Sequence, residues 1–211
     1  MTLRVEIDGA AVDVEPGTTV LEAVRAAGGD VPTLCFDARQ APFGACRVCM
    51  VGVAGVAGPV AACTTPCRDG MAVDTKDATA RRIAAATVEL VLSELPEAPP
   101  PESELAHVAR WLGVDGAELR WPGEVHQREQ DLRHPYLALR HELCISCGRC
   151  VRACDEIQGA FALTATGRGF EANIAAGMDQ GFRESTCVAC GACADTCPTG
   201  AITEISLLRL K

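Results

Sequence analysis

The chain has 211 residues, of which 13 are cysteine and only 4% aromatic, and a formal net charge of -9 at pH 7. That length accommodates one or two modest cores, and the net charge weighs against a nucleic-acid partner, since phosphate would be repelled by the chain as a whole. The same acidity suits docking on basic protein surfaces and, equally, plain solubility.

From the N-terminus, Leu3, Val5 and Ile7 alternate with Arg4, Glu6 and Asp8, which predicts a strand over residues 2–8. With a strand so early, no export signal is expected ahead of the fold. A turn at Asp8-Gly9 leads to a strand over 11–15, and a helix follows near residues 19–27. Thr19 with Glu22 three residues on is a capping-box pattern, and Gly28-Gly29 supplies the stop. Further strands are expected over 47–53, 60–62 and 71–74, which gives a small α+β unit over residues 1–76 with its cysteines on the long loop after the helix. The longest apolar stretch, residues 48–63, is interrupted by Gly52, Gly55, Gly58 and Pro59 and is too short to cross a bilayer, so no membrane segment is expected. Thiols kept free for metal fit the reducing cytoplasm.

Residues 77–143 form a mostly helical linker region without cysteine. Asp77 is a plausible N-cap, with Ile83, Thr87, Leu90 and Val91 along one face, and Pro96, Pro99, Pro100 and Pro101 end the helix. A second helix over 102–112 carries Leu105, Val108, Ala109 and Leu112 on one stripe and stops at Gly113, after which residues 114–141 read as irregular.

The last segment, 144–211, contains an internal repeat: Cys144, Cys147, Cys150 and Cys154 recur at an offset of 43 as Cys187, Cys190, Cys193 and Cys197. Between the copies, residues 161–166 and 170–174 are expected to form a hairpin across Gly167-Arg168-Gly169. Each copy, CISCGRCVRAC and CVACGACADTC, is the C-x2-C-x2-C-x3-C run of bacterial ferredoxins, in which the fourth cysteine serves the other cluster. Two 4Fe-4S clusters are therefore expected, one on Cys144, Cys147, Cys150 and Cys197, the other on Cys154, Cys187, Cys190 and Cys193. Gly148 and Gly191 would let the backbone approach the sulfides. Pro198 follows the last cysteine as the run asks, whereas Asp155 stands where the first copy would carry proline. Zinc sites favour well-separated C-x2-C knuckles, and disulfides do not suit close-spaced cysteines in a reducing compartment, so both are the lesser readings.

Near the N-terminus, Cys35, Cys46, Cys49 and Cys63 are separated by ten, two and thirteen residues. Through PTLCFD, FGACRVCMV and AACTTP the chain resembles the 2Fe-2S domain of the large iron-sulfur subunit of complex I, and the matching region of NAD-dependent formate dehydrogenases and soluble hydrogenase diaphorases. The resemblance implies a β-grasp 2Fe-2S ferredoxin domain with these four cysteines as ligands, a helical linker, and a C-terminal bacterial-type 2x4Fe-4S ferredoxin domain. LCISCGRCVRACDEIQGAFALT, GRGF and TCVACGACADTCPTGAI look most like the region preceding the molybdenum or tungsten domain of formate dehydrogenase α subunits. That family usually inserts a His-x3-Cys-x2-Cys-x5-Cys site, and residues 77–143 lack it.

His107 and His126 read as surface histidines, and His134 and His141 as packing or hydrogen-bonding groups. Cys67, outside the three quartets, is a small buried side chain or, alternatively, a redox-active thiol. Arg47, Arg149, Arg152 and Arg183 adjoin the cysteines and either raise cluster potentials or are solvated. No dinucleotide fingerprint, P-loop or paired nucleophile and base accompanies them, so no catalytic residue is expected. The resemblance implies a cytoplasmic, hetero-oligomeric electron-transfer subunit between a flavin/NADH-binding subunit and a Mo/W formate dehydrogenase catalytic subunit, with a nickel-iron hydrogenase, or a free ferredoxin shuttle, as the alternatives.

Overall fold

A computed structural model describes residues 2–116 and 118–205, so the last six residues of the predicted third segment lie outside the described residues. The chain divides into two compact units: Met1–Phe36, Pro42–Leu90 and Val108–Asp115 form the first, and Asp37–Ala41, Val91–His107 and Gly116–Lys211 the second. The expected linker is thus shared out between them.

In the first unit, β1 (Leu3–Ile7) and β2 (Ala10–Val14) pair antiparallel across Asp8 and Gly9, both left-handed. The helix α1 (Val20–Ala26) starts with both capping-box bonds, the Thr19 hydroxyl accepting from the Glu22 amide and the Glu22 carboxylate from the Thr19 amide. It ends with Gly28 donating to the Arg25 carbonyl and Gly29 to that of Val24, which satisfies carbonyls that the last turn leaves open. Strands β3 (Met50–Val53), β4 (Val60–Ala61) and β5 (Ala72–Asp74) complete a sheet of order β2-β1-β5-β3-β4, in which only β1 and β5 run parallel. Val5, Ile7, Val51 and Val73 from the sheet meet Val20, Leu21 and Val24 of α1 in one core, joined by the sulfur atoms of Cys49 and Cys63. The expected strand over 47–53 starts three residues late, because Arg47 is left-handed (φ 55°) and cannot join a ladder.

The helix α2 (Ala78–Ser93) is capped by Asp77, whose carboxylate accepts from the Ala80 amide at 2.7 Å. Its buried stripe is Ala80, Ala84, Val88 and Leu92, one position round from the expected Ile83, Thr87, Leu90 and Val91, and Leu90 is 51% exposed. Ile83, Thr87 and Val91 are half-buried beside that stripe, so the large-residue pattern lay one position off its centre. The helix α3 (Glu104–Leu112) buries Leu105, Val108 and Ala109 as expected and closes at Gly113, while Ser103 accepts from the Ala106 amide as its cap.

In the second unit, β6 (Leu137–Leu139) pairs antiparallel with β9 (Ile202–Glu204), and β7 (Leu163–Thr166) with β8 (Asn173–Ala176). The β7–β8 connection takes six residues, 167–172, with a 3-10 turn at Gly169–Glu171, so the second strand begins three residues later than expected. The short helices α4 (Arg149–Arg152) and α5 (Ala192–Asp195) obey the sequence offset of 43. The irregular stretch before β6 is pinned by Asp131, buried, whose carboxylate accepts from the Phe182 amide at 2.8 Å and from Arg133.

Because Val88 is fully buried and Leu90 is not, Val88→Ala is expected to cost about 1–3 kcal/mol and Leu90→Ala less than about 0.5, read from urea unfolding curves of the full chain. Equal losses would restore the expected face.

Candidate metal centres

The N-terminal quartet is gathered by α1 and the β3–β4 hairpin. Cys49 immediately precedes β3 and Cys63 lies two residues beyond β4, tied together by the Ala62 amide donating to the Cys49 carbonyl at 2.8 Å. Amides at the start of α1 hold the same loop, Val20 to the Thr65 carbonyl and Leu21 to that of Ala62. Cys35 and Cys46 arrive on the loop after α1, where Gly44 and Arg47 are left-handed and the Cys46 amide donates to the Cys35 sulfur at 3.4 Å. Cys35, Cys49 and Cys63 are buried and Cys46 half-buried.

The thiols are linked in series, Cys46 to Cys35, Cys35 to Cys63 and Cys63 to Cys49. Hydrogen bonds from the Cys46 and then the Cys63 side chain hold Cys35 far below the ordinary thiol range. A bond from Cys63 lowers Cys49 to about 7. The two donors are pushed the opposite way, Cys46 chiefly by its bond to Cys35 and Cys63 by its bonds to Cys35 and Cys49. Two of the four sulfurs can carry charge while the other two carry the protons. Four thiolates in this space would require compensating positive charge, which a bound metal would supply.

In the second unit the two halves of the repeat exchange their fourth cysteines. Cys144, Cys147, Cys150 and Cys197 line one pocket, walled by apolar groups including Leu139, Ile145, Ile174 and Ile202. Cys154, Cys187, Cys190 and Cys193 line another, walled by Leu137, Leu163, Phe182 and Val188. Among the described residues no three histidine, cysteine or carboxylate side chains close on one point as ligands of a single ion do. These quartets surround a volume instead. Soft sulfur donors around an apolar space fit an iron-sulfur cubane by donor chemistry.

Backbone strain marks both sites at matching positions. Ser146 and Gly148 are left-handed (φ 51° and 74°), and so, 43 residues on, are Ala189 and Gly191 (φ 56° and 79°). Only glycine takes this conformation without cost, so Ser146 and Ala189 each store on the order of 1 kcal/mol. The turn aims amides inward: that of Ser146 bonds the Cys144 sulfur and that of Ala189 the Cys187 sulfur, the latter at 3.4 Å. Cys154 lies within a π-helical turn, Ala153–Gln158, ended by Gly159, and the Ala162 amide returns to the Cys154 sulfur at 3.2 Å. That turn occupies the place where the ferredoxin run has proline, and Asp155 stands within it.

Burial raises the thiols of Cys144, Cys150 and Cys187 above their ordinary range, and pushes Cys147 and Cys193 up to about 12. Thiolates in these pockets would likewise need a compensating positive charge.

Of the arginines beside the cysteines, Arg47 and Arg183 are exposed, whereas Arg149 is only 5% exposed and is not a solvated residue. Its guanidinium bonds both oxygens of Glu104 at 2.5 and 3.0 Å, and its Nε the Thr196 hydroxyl at 2.9 Å. No sequence signal pointed to Glu104 or Thr196. Cys67 is buried, its thiol raised chiefly by desolvation, and its amide bonds the Thr18 carbonyl. His107 is exposed, as expected, but His126 is half-buried and stacks on Phe170 at 4.2 Å, which corrects its reading as a surface residue. His141 meets Asn173 at 3.0 Å. Buried His134 accepts at Nδ1 from the amides of Tyr136 and Leu137, at 3.1 and 3.0 Å, so its proton is on Nε2.

Residues 1–78 match a family described as a 2Fe-2S iron-sulfur cluster binding domain, and residues 134–203 match the NADH-quinone oxidoreductase subunit 3 ferredoxin-like domain. The NADPH-Fe(3+) oxidoreductase subunit alpha of Geobacter sulfurreducens is 34% identical over 93% of this chain, which covers 23% of that protein. The NADP-reducing hydrogenase subunit HndD of Solidesulfovibrio fructosivorans is 31% identical over 96% of the chain, which covers 36% of it. The chain thus spans about a quarter to a third of these curated relatives. In the crystal structure of an NAD+-reducing [NiFe]-hydrogenase in the H2-reduced state, one chain superposes with a TM-score of 0.88 at 29% identity, over 97% of this chain and 88% of its own length.

Burial depresses the His134 pKa below its ordinary 6.5, the nearby Asp131 charge opposing weakly. A depressed folded value means that the unfolded chain takes up the proton first. The contribution of His134 to stability is therefore complete above the unfolded value and is lost as pH falls through the folded one. Unfolding midpoints measured between pH 7.5 and 5 are expected to fall with pH, and His134→Asn to flatten that slope.

Proposed function

We propose that this chain, assembled from a 2Fe-2S cluster-binding domain and a ferredoxin-like domain, is the electron-relay subunit of an NAD(P)H-linked oxidoreductase complex. It would hold one 2Fe-2S cluster on Cys35, Cys46, Cys49 and Cys63. Two 4Fe-4S clusters would sit on Cys144, Cys147, Cys150 and Cys197, and on Cys154, Cys187, Cys190 and Cys193. The observation that carries the reading is the exchange of Cys154 and Cys197 between two sulfur-lined cavities. An order of β2-β1-β5-β3-β4 with α1 on one face is what a β-grasp ferredoxin requires, and it supports the 2Fe-2S assignment.

When bound, such clusters supply one-electron carriers. The chain's residues hold them and exclude water. The thiols provide every ligand, the amides of Ser146, Ala162 and Ala189 bond ligand sulfurs, and the apolar walls keep the dielectric low. With four protein ligands per cluster, no iron is left open for substrate, so bond-making falls to partner subunits.

The electron donor or acceptor on one side is a flavin/NADH-binding subunit. For the catalytic partner, likeness over nearly the whole chain to an NAD+-reducing [NiFe]-hydrogenase structure favours a nickel-iron enzyme. A Mo/W formate dehydrogenase subunit is the second reading, supported by the motifs around Cys144 and Cys187. The setting is a cytoplasmic hetero-oligomer, and among the described residues no helix is long and apolar enough to cross a membrane.

Anaerobically purified chain is expected to carry about ten irons and as many acid-labile sulfides, and Cys147→Ser to remove about four of each. A colourless, zinc-loaded chain would end the proposal. Metal analysis of the native complex separates the two partners, nickel supporting the first and molybdenum or tungsten the second.

A further inference from the structure

We infer that Asp37, two residues after Cys35, is a positioning residue of the Cys144, Cys147, Cys150 and Cys197 site, where with Arg149, Glu104 and Thr196 it sets the electron affinity of the bound cluster. The inference rests on the cubane reading of that quartet.

The segment Asp37–Ala41 belongs to the second unit. The Asp37 carboxylate is 8% exposed and accepts from the Thr196 hydroxyl at 2.6 Å. That hydroxyl, fully buried, accepts in turn from Arg149 Nε at 2.9 Å. Thr196 directly precedes Cys197, and Arg149 stands between Cys147 and Cys150. One carboxylate therefore ties together the two separate stretches of chain that supply this quartet. Gln40 adds a second tie, its side-chain amide donating to the Arg149 carbonyl at 3.2 Å. The segment is anchored on both sides: Arg39 bonds Asp195 at 2.5 Å, the Ala41 amide bonds Glu156 at 2.7 Å, and Arg152 bonds the Ala41 carbonyl at 2.7 Å. On the far side of the guanidinium, Glu104 forms the two-pronged pair, and the adjacent Leu105 amide donates to the carbonyl of Pro198, next to Cys197.

Mere scaffolding does not require charge here, because a buried ion pair is often no more stabilising than apolar groups of the same volume. What buried charge does supply is a field acting through a poorly screening medium. Arg149 carries one positive charge beside the cysteines, and Asp37, 3.7 Å from its Nη2, and Glu104 each carry a negative one. A cluster gains negative charge on reduction, so the cation favours the reduced form and the two carboxylates oppose it.

Asp37→Asn keeps the shape and an oxygen for Thr196 while deleting one negative charge. Arg149→Gln deletes the positive one. In redox titrations of the full chain followed by electron paramagnetic resonance, the signal of this quartet is the one absent from Cys147→Ser. Its reduced-to-oxidised ratio at fixed potential is expected to rise about tenfold in Asp37→Asn, about 59 mV for one electron, and to fall by a similar factor in Arg149→Gln. The cluster on Cys154, Cys187, Cys190 and Cys193 serves as the internal control and keeps its midpoint. Unchanged midpoints, or shifts of the same sign in both variants, would leave the network as scaffold only and overturn the inference. Should Arg149→Gln fail to fold, Glu104→Gln, at a half-exposed carboxylate, must raise the ratio by roughly two- to threefold given its greater screening, and no rise overturns the inference equally. An iron-free wild-type chain would remove the cubane reading along with the inference, whereas an iron-replete one with unmoved midpoints removes the inference alone.

Discussion

Four thiols brought into one apolar space cannot all ionise unless something positive lies among them, and the organisation of this protein follows from that constraint. In the N-terminal quartet the charge is split, Cys35 and Cys49 favouring the thiolate and Cys46 and Cys63 the thiol. In the second unit, burial first and neighbouring cysteines second lift Cys144, Cys147, Cys150, Cys187 and Cys193 toward the protonated form. Under the proposed reading, ligation by iron would reverse both situations, making metal binding and formation of the site parts of one equilibrium.

The same constraint explains how a chain with few aromatic residues builds two cores from short elements. Helices α4 and α5 have four residues each and the strands of the second unit three or four, too short to be stable on their own. They are held where sulfur is: Cys150, Cys154 and Cys193 belong to the same buried cluster as Leu139, Leu163, Ile174 and Phe182. The left-handed residues before and after Cys147 and Cys190 show where the backbone gives up its own preference to point amides at nearby ligand sulfurs.

Charge around the first quartet of the repeat is arranged by residues far apart in the chain. Arg149 would be costly to bury alone, and Glu104 and the Asp37–Thr196 pair make it tolerable. Hydrogen bonds from Arg39 and from the Thr196 hydroxyl in turn hold the Asp37 carboxyl well below the usual carboxylate range, so it stays charged at neutral pH. Charged groups placed behind the ligands in this way govern how readily a site accepts an electron without touching the metal themselves.

Features written in short-range spacing were legible in the sequence alone: the C-x2-C-x2-C-x3-C repeat, the Asp8-Gly9 turn, the Thr19–Glu22 cap, and the Gly113 stop. Each depends on residues within a few positions of one another, where backbone geometry leaves few choices. Only the tertiary structure decided that Asp37, Gln40, Glu104 and Thr196 surround Arg149, that α2 buries Ala84 and Val88 in place of Leu90, that His126 stacks on Phe170, and that β8 begins after a six-residue connection. Such partners lie tens to more than a hundred residues apart or depend on which side of a helix is covered, and hydrophobic periodicity carries no record of what will be packed against it.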